Sequence, residues 1–505
     1  MSYQIEKDGL VELIDDSGDN IRNNSLYSED LKPVSIAERT WSRRHIASLW
    51  AGMSICIPTY TLSSGLITSG MNWREAVFTI FLGNIIVLIP MILIAAAGTK
   101  YGISYPVFCR ASFGKKGAHL PLLLRAGVAC GWFGINCWIG GEFMYIAFAG
   151  FFPSLLLYPK AKFIIFLLFL MSNLAIAYRG HEAVKAIEIY CVPILVAIGV
   201  SIATWAIYQA GSLSALLEAG DRIDLGRPVA ARPFKELFLP SLNAMISYWA
   251  PLALNISDFT RFASTQKDQA LGQLIGLPPA MAFFSMVGVF GTLGSIIAFN
   301  QMIWNPVYTV VAFKMPWLSL LGGVLVFVAI ITTNIAANVV GPSNIFSNLS
   351  PKNIPYRYGV LITGFVGLII MPWKLYAEPT GYIFNWLGTY GSFLGPLTGL
   401  YIADYYFIRR QHLSLYDLYS DKSKLYNYSG GVNFIAYVSY ALSVTPFVVD
   451  LCFSTFGGGI VNNSWAFGVL FSFTIYGTLM KWYYPDVVPS SIPPRAAEEA
   501  AGVDA

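Results

Sequence analysis

The chain has 505 residues, of which 55% are hydrophobic and only 12% carry a charge. Soluble globular proteins carry about 25% charged residues because their surface must be wetted, so this composition argues against a soluble enzyme, a nucleic-acid-binding protein and a disordered chain. The net charge of +4 is small and dispersed, which gives no reason to expect a polyanionic partner.

Residues 1–44 form a polar, acidic zone without the basic start, apolar core and small-residue cleavage site of a signal peptide. We predict that this zone is a disordered cytoplasmic tail. Residues 485–505, rich in Pro, Ala and Glu, are predicted to form a second such tail at the cytoplasmic side.

Between these tails lie apolar runs long enough to cross about 30 Å of hydrocarbon, which takes about 20 helical residues. They predict an all-α integral membrane protein with about twelve transmembrane helices. The predicted spans are 45–69, 74–98, 119–149, 161–178, 184–209, 236–259, 271–299, 315–341, 357–372, 379–408, 431–453 and 463–484. Lys and Arg are more frequent in the loops that follow even-numbered helices, which places both termini in the cytoplasm.

Two of the predicted helices contain a proline near their middle. Helix one contains Pro58 within Ile55–Tyr60, and helix six contains Pro251 after Ser247–Ala250. Proline removes a backbone hydrogen bond, and the freed carbonyls are tolerated in a membrane only where they line a cavity. Breaks five helices apart predict an inverted repeat of helices one to five (45–209) and six to ten (236–408); kinks alone remain the alternative.

The predicted repeats are joined by an extracytoplasmic loop at 210–235. A cytoplasmic loop at 409–430 then leads to two additional helices, eleven and twelve, at 431–484.

Helix three carries Trp132 and Asn136, which are four residues apart and therefore share a helix face. An indole beside an amide suits a flat, polar, uncharged ring, because the indole stacks and the amide bonds to donors and acceptors. A lipid-facing Trp and a helix-packing Asn are the alternative.

Helix eight places Ala329, Thr332 and Thr333 on one face. Two hydroxyls beside unwound carbonyls would form an oxygen shell for a hard monovalent cation, although threonines that bond back to their own helix would have the same spacing. Asn334 and Asn338 form a second polar pair that could face the same cavity.

Glu142 is the carboxylate that we predict to be buried within a span, with a structural or gating role favoured over proton transport. The four histidines show no metal-ligand spacing, and the chain lacks a phosphate-binding P-loop. We therefore expect neither an enzyme nor an ATP-driven pump. A channel is disfavoured because no ring of carbonyls or charges is evident.

Several motifs resemble the nucleobase–cation symporter family one, which includes hydantoin, allantoin, uracil, cytosine and purine permeases. The motifs that carry this resemblance follow the family's order from residue 41 to about 425: Trp50–Met53, Pro58–Tyr60, Gly98–Gly102, Arg110–Gly114, Gly131–Ile135, Asp258–Phe262, Thr333–Asn338, Met371–Trp373, Gly395–Gly399 and Asp404–Tyr405. The resemblance implies the leucine-transporter fold, with a five-plus-five inverted repeat and two extra helices.

The resemblance also implies individual roles. Trp132 and Trp249 match the family's two stacking tryptophans, Tyr248 a neighbouring backbone contact, and Asn338 a polar substrate contact. Asn136 lies where the hydantoin transporter has a substrate-binding Gln, and it is one methylene shorter. The implied sodium site comprises the carbonyls of Gly52, Ile55 and Ala329 and the hydroxyls of Thr332 and Thr333. Cys56 replaces a polar residue of helix one.

The expected function is a secondary transporter of the cell membrane that imports a nucleobase-like ring by cation symport and alternating access. Its expected partners are the heterocyclic substrate and the lipid bilayer, and its coupling ion is expected to be sodium, with no other cofactor. The alternatives are proton coupling, a related heterocycle or vitamin as substrate, and a same-fold amino-acid transporter. The two tryptophans favour a flat ring.

Overall fold

The computed structural model describes residues 4–13, 21–179, 181–221, 232–378, 381–422, 424–453, 455 and 459–484. A short antiparallel hairpin of β1 (Gln4–Lys7) and β2 (Leu10–Leu13) precedes the helices, with Gln4 opposite Leu13. The rest of the described chain is helical or forms connections between helices. The predicted tail at 485–505 lies outside the described residues.

The first half of the chain contains eight helices within the described ranges. They are α1 (Arg43–Ser54), α2 (Ile57–Ser69), α3 (Trp73–Tyr101), α4 (Tyr105–Phe113), α5 (His119–Phe151), α6 (Pro159–Tyr178), α7 (His181–Ala210) and α8 (Leu213–Asp221). Short 3-10 turns occur at Ile21–Asn23, Ile36–Glu38 and Pro153–Leu157.

The second half follows the same pattern of long helices with short ones between them. It contains α9 (Phe234–Leu254), α10 (Ser257–Thr260), α11 (Gln266–Phe299), α12 (Pro306–Ala312), α13 (Pro316–Ile335), α14 (Gly341–Leu349), α15 (Tyr356–Ile369), α16 (Pro372–Leu375), α17 (Gly388–Ile402), α18 (Leu415–Tyr419), α19 (Phe434–Phe453) and α20 (Ser464–Tyr483). Wider π-helical turns lie at Ala336–Val340, Gly381–Leu387 and Ala403–Ile408, and a 3-10 turn at Val461–Asn463.

Seven of these helices are long and apolar enough to cross a membrane, and the bent pair Val196–Ala210 with Leu213–Ala219 makes eight. Helices also lie in the remaining predicted spans, and most of them are shorter or interrupted. Helix one, for example, is divided into α1 and α2, of 12 and 13 residues. The structure thus has the helical membrane architecture that the composition predicts, while the count of twelve spans stays a prediction.

The packing partners are those that an inverted repeat would produce. Helix one packs against helix seven (α1 and α2 on α11), and helix two against helix six (α3 on α9). A two-fold relation between helices one to five and six to ten exchanges these two pairs. The repeat itself stays a prediction.

Two glycines allow these pairs to pack closely. A Cβ atom at Gly276 of α11 would lie 2.8 Å from the Cβ of Trp50 in α1, and one at Gly83 of α3 would lie 2.6 Å from the Cβ of Met245 in α9. Small residues are the usual means of close helix contact in membranes, where burial of apolar surface contributes little.

The segment before α1 is ordered where it is described, so the prediction of a disordered tail at 1–44 is wrong for those residues. Leu31 is fully buried and Arg39 is only 4% exposed. The Arg39 guanidinium donates to the carbonyls of Val11, Val34, Thr99 and Lys100, at 2.6–3.1 Å. Acidic composition does not reveal such packing, because one arginine and a few apolar side chains suffice to hold the segment.

The break in helix six also differs from the prediction. Helix α9 continues through Ser247–Pro251 to Leu254, and the interruption follows at Asn255–Ile256. Pro251 lacks a donor, but its own carbonyl accepts from the backbone N–H of Asn255 at 3.4 Å, so the helix extends past it. The predicted loops at 210–235 and 409–430 likewise contain the helices α8 and α18.

Candidate functional site

Helix one is broken at Ile55 and Cys56, as its proline predicts. Cys56 is extended (φ −145°, ψ 161°), and Pro58 lies in the first turn of α2, where a missing N–H costs no helical hydrogen bond. The break interrupts the backbone ladder in the middle of the bundle, where polar backbone is tolerated if it lines a cavity.

A cavity of about 40 Å³ lies beside this break, between α1, α2, α5, α9 and the junction of α13 with α14. Its walls contain all five residues that the sequence predicts to bind substrate: Trp132, Asn136, Tyr248, Trp249 and Asn338. No substrate contact was predicted for the other lining residues, which are Met53, Cys56, Pro58, Arg125, Pro251, Leu252, Thr333 and Ala337.

Aromatic rings form a connected row along the cavity. The ring of Tyr248 lies edge-on to Trp132 at 5.3 Å between centroids, and edge-on to Trp249 at 4.9 Å. Trp249 in turn lies edge-on to Trp50 at 5.1 Å. The Nε1 of Trp132 donates to the Tyr390 hydroxyl at 3.3 Å, which fixes the orientation of its indole.

The amides of the cavity are oriented by hydrogen bonds to neighbouring groups. Asn136 Nδ2 donates to the carbonyl of Trp132 at 3.0 Å, and Asn338 Nδ2 donates to Asn334 Oδ1 at 3.0 Å. Asn334 does not line the cavity, contrary to the suggestion that both asparagines face it. It is fully buried between helices, with Nδ2 3.3 Å from the Phe133 carbonyl and 3.4 Å from Asn173 Oδ1.

Tyr248 also connects the two broken helices. Its hydroxyl lies 3.2 Å from Thr59 Oγ1 and 3.5 Å from Cys56 Sγ, both of which belong to the break and first turn of α2. Cys56 therefore takes part in the hydrogen bonding expected of a polar residue at this place, although its thiol is a weaker partner than a hydroxyl.

The predicted sodium residues come together next to the cavity. Thr333 Oγ1 of α13 donates to the carbonyl of Gly52 in α1 at 3.4 Å. Ile55 and Ala329 belong to one small buried cluster between the same helices. The side chain of Thr332 lies outside the described part of the structure.

A cation at this point would be held by neutral oxygens. Across the described residues, no three His, Cys, Asp or Glu side chains converge as metal ligands. Carbonyl and hydroxyl oxygens suit a hard monovalent ion, and they carry no proton that could be exchanged near neutral pH.

Arg125 of α5 lines the cavity, and no role was predicted for it from the sequence. It precedes Trp132 by seven residues, two helical turns, and therefore lies on the same face of α5. Its side chain is 1% exposed, and its Nε donates to the Pro251 carbonyl at 2.7 Å and to Asn255 Oδ1 at 3.0 Å. The spacing to Trp132 and Asn136 was the signal that could have identified it.

Glu142 is buried, as predicted, but it does not line the cavity. Its Oε1 forms a short ion pair with Lys162 Nζ and accepts from the Tyr308 hydroxyl at 2.9 Å. Its other oxygen lies 3.5 Å from Asn305 Nδ2. A carboxylate with these partners connects α5 to α6 and α12, which favours the structural role over proton transport.

Comparisons with known proteins give consistent results. The family described as "Permease for cytosine/purines, uracil, thiamine, allantoin" matches residues 33–471. The chain is 37% identical to the purine-uracil permease NCS1 of Arabidopsis thaliana, over 90% of this chain and 77% of that protein. It is 34% identical to the allantoin permease of Bacillus subtilis, over 92% of this chain and 95% of that protein.

Solved structures of Mhp1, a nucleobase-cation-symport-1 family transporter, share the fold. The closed conformation with bromovinylhydantoin bound has a TM-score of 0.75 at 23% identity, covering 91% of this chain and 96% of that one. The inward-facing conformation has a TM-score of 0.76 at 23% identity, covering 92% of this chain and 96% of that one. The chain is therefore a multi-pass membrane transporter that belongs to the nucleobase–cation symporter family one.

Proposed function

We propose that this chain is a secondary active transporter that imports a flat, polar, nucleobase-like or ureide ring across the cell membrane. The observation that carries the proposal is the cavity at the break of helix one, which is lined by Trp132, Trp249, Asn136 and Asn338. Indoles provide flat apolar faces, and amides provide both donors and acceptors, so the lining matches the chemistry of such a ring.

The names of the relatives support this class of substrate. They include a purine-uracil permease, an allantoin permease and a structure that binds bromovinylhydantoin. Uracil, allantoin and hydantoins are small rings with carbonyl and N–H groups, and purines are flat rings with N–H groups and acceptor nitrogens. An amino-acid substrate is disfavoured, because the cavity offers a row of aromatic rings to its ligand.

We further propose that sodium drives uptake and that the protein works by alternating access, with both termini in the cytoplasm. Gly52 and Thr333 belong to separate helices, so an ion between them would link the broken helix to α13. Binding of the ion would then favour binding of the ring, and binding of the ring would favour binding of the ion, because both require the same arrangement of helices.

The test is uptake into liposomes that contain the purified full chain. Uracil, hypoxanthine, adenine, cytosine, allantoin and hydantoin are supplied as labelled rings under an inward sodium gradient or an inward proton gradient. We expect saturable uptake of at least one ring that requires the sodium gradient. Uptake driven only by protons would overturn the sodium assignment, and uptake of none of these rings would overturn the substrate class.

A further inference from the structure

The guanidinium of Arg125 is buried at the cavity wall, and no carboxylate of the described residues pairs with it directly. It lines the cavity beside Trp132 and is 1% exposed. None of the carboxylates in the described ranges lies within ion-pair distance of it. Asp258 is connected to it by hydrogen bonds through Asn255, whose Nδ2 donates to Asp258 Oδ2 at 2.9 Å while its Oδ1 accepts from Arg125.

The hydrogen-bonding capacity of this guanidinium is only partly used. Its Nε edge is occupied by the Pro251 carbonyl and by Asn255, which hold the group against α9. Its Nη1 is buried and makes no hydrogen bond with any residue that the structure describes. A buried donor without a partner is costly, and the cost is greater for a charged group, so such a group is expected to have an acceptor in the working protein.

We propose that Arg125 is a specificity-determining residue that donates to an oxygen of the bound ring, so that the transporter takes oxo-substituted rings in preference to amino-substituted ones. This inference rests on the proposed function. Arginine offers only donors, and a ring carbonyl is an acceptor, whereas a ring amino group is itself a donor. A ring amino group at this place would face the guanidinium donor to donor, so that neither the amino group nor the arginine N–H would have an acceptor.

The direct test compares two purines of the same size. Hypoxanthine carries an oxo group where adenine carries an amino group, and adenine has no oxygen at all. Binding to the purified full chain in sodium is measured by displacement of a labelled ring identified in the uptake assay. We expect hypoxanthine to bind at least about tenfold more tightly than adenine, as for one charge-assisted hydrogen bond.

Two variants distinguish a role of Arg125 in recognising the ring from a role in holding α9 in place. Arg125→Met removes the donors while keeping a long side chain, and we expect it to reduce the oxo-over-amino preference to about threefold or less. Asn255→Ala removes the other partner of the same guanidinium without altering the cavity wall, and we expect it to keep the preference. A merely structural arginine would weaken both purines equally in both variants.

The outcomes distinguish this inference from the proposed function. A wild-type protein that binds adenine as tightly as hypoxanthine overturns the inference while leaving ring transport intact, and it does so even if Arg125→Met does not fold. Full preference retained in Arg125→Met overturns it as well. Binding of no ring by the wild-type protein would overturn both.

Discussion

The two indoles of the cavity do not face one another directly, because Tyr248 stands edge-on to both. The centroid distances of 5.3 and 4.9 Å leave no gap for a second ring between the phenol and either indole. A substrate ring that occupies the space between the phenol and either indole must therefore displace the phenol. The free-energy cost of moving the Tyr248 phenol is reduced where the substrate ring forms new stacking contacts of similar strength with the indoles.

The first prediction concerns the two tryptophans. Trp132→Ala and Trp249→Ala should each weaken ring binding by about tenfold, because one aromatic stacking contact contributes on the order of 1 kcal/mol. Equilibrium binding to the purified protein is the measurement. Trp138→Ala is the matched control, since Trp138 lies on the same helix but contacts Phe166 and Trp373 away from the cavity. Unchanged affinity in both cavity variants would refute stacking.

The second prediction concerns Asn136, whose amide reaches the cavity wall from the face that carries Trp132. Asn136→Gln moves the amide outward by one methylene, so it should alter the order of preference among rings and not merely reduce uptake. A buried polar group without a partner costs about 1–3 kcal/mol, which corresponds to about five- to 150-fold. Competition by a panel of rings measures this order. An unaltered profile would show that Asn136 does not contact the ligand.

Residues that share a helix face could be predicted from the sequence, because helical periodicity is local information. Trp132, Asn136 and Thr333 were identified in this way, and the structure places all three at one cavity. Roles that depend on distant partners could not be predicted. Arg125 acquires its significance from the Pro251 carbonyl on another helix, and Asn334 is directed away from the cavity by Asn173.

At the scale of helices, the break of helix one and α13 are joined through the Thr333 hydroxyl and the Gly52 carbonyl. Pro58 was a reliable indicator of this break, because an extended residue precedes it. Pro251 was misleading, because Arg125 and Asn255 use its carbonyl and the helix continues for another turn. The difference lies in tertiary hydrogen bonds, which proline content does not encode.

The third prediction tests coupling through this contact. Thr333→Ala should abolish the enhancement of ring binding by sodium while preserving binding in its absence, since it removes one oxygen of the proposed ion site. Affinity is measured with and without sodium at constant ionic strength and pH. In the wild-type protein, sodium and ring should enhance each other by the same factor.

The matched control for this prediction is Thr398→Ala. Thr398 is a fully buried threonine whose hydroxyl donates to the carbonyl of Leu394 in its own helix, at 3.1 Å. Loss of the sodium effect in both variants would indicate general damage to the bundle. Binding indifferent to sodium in the wild-type protein, together with uptake that collapses in Glu142→Gln, would favour proton coupling.

At the scale of the whole molecule, the segment before α1 joins the hairpin to the end of α3. Burial lowers the pKa of Arg39 to about 10, so the guanidinium remains charged at neutral pH and keeps its hydrogen bonds to backbone carbonyls. The segment also pairs with the second half of the chain, since the Trp41 N–H donates to the Phe262 carbonyl at 2.8 Å. Both halves of the proposed repeat are thus bound to one peptide.

The fourth prediction follows from this arrangement. Arg39→Ala should destabilise the protein by about 2–3 kcal/mol, because it leaves several carbonyls without their charged donor. Thermal unfolding and the rate of proteolysis before residue 40 are the measurements. Arg43→Ala is the control, since Arg43 is half-exposed and 3.7 Å from Asp268, and an exposed pair of this kind contributes about 0–1 kcal/mol. Equal stability of the two variants would contradict the anchoring role.

The break in helix one also places a thiol in the wall of the cavity. Cys56 is 8% exposed, whereas Cys109, Cys130 and Cys137 are fully enclosed. With Cys191 and Cys452 replaced by serine, a small thiol-specific reagent should therefore modify Cys56 selectively, and only in molecules whose cavity has opened. The rate at which the reagent modifies Cys56 then measures how often the cavity opens. A saturating concentration of substrate ring should lower this rate by shielding the sulfur. The same atom can thus report occupancy and conformation in a single labelling experiment.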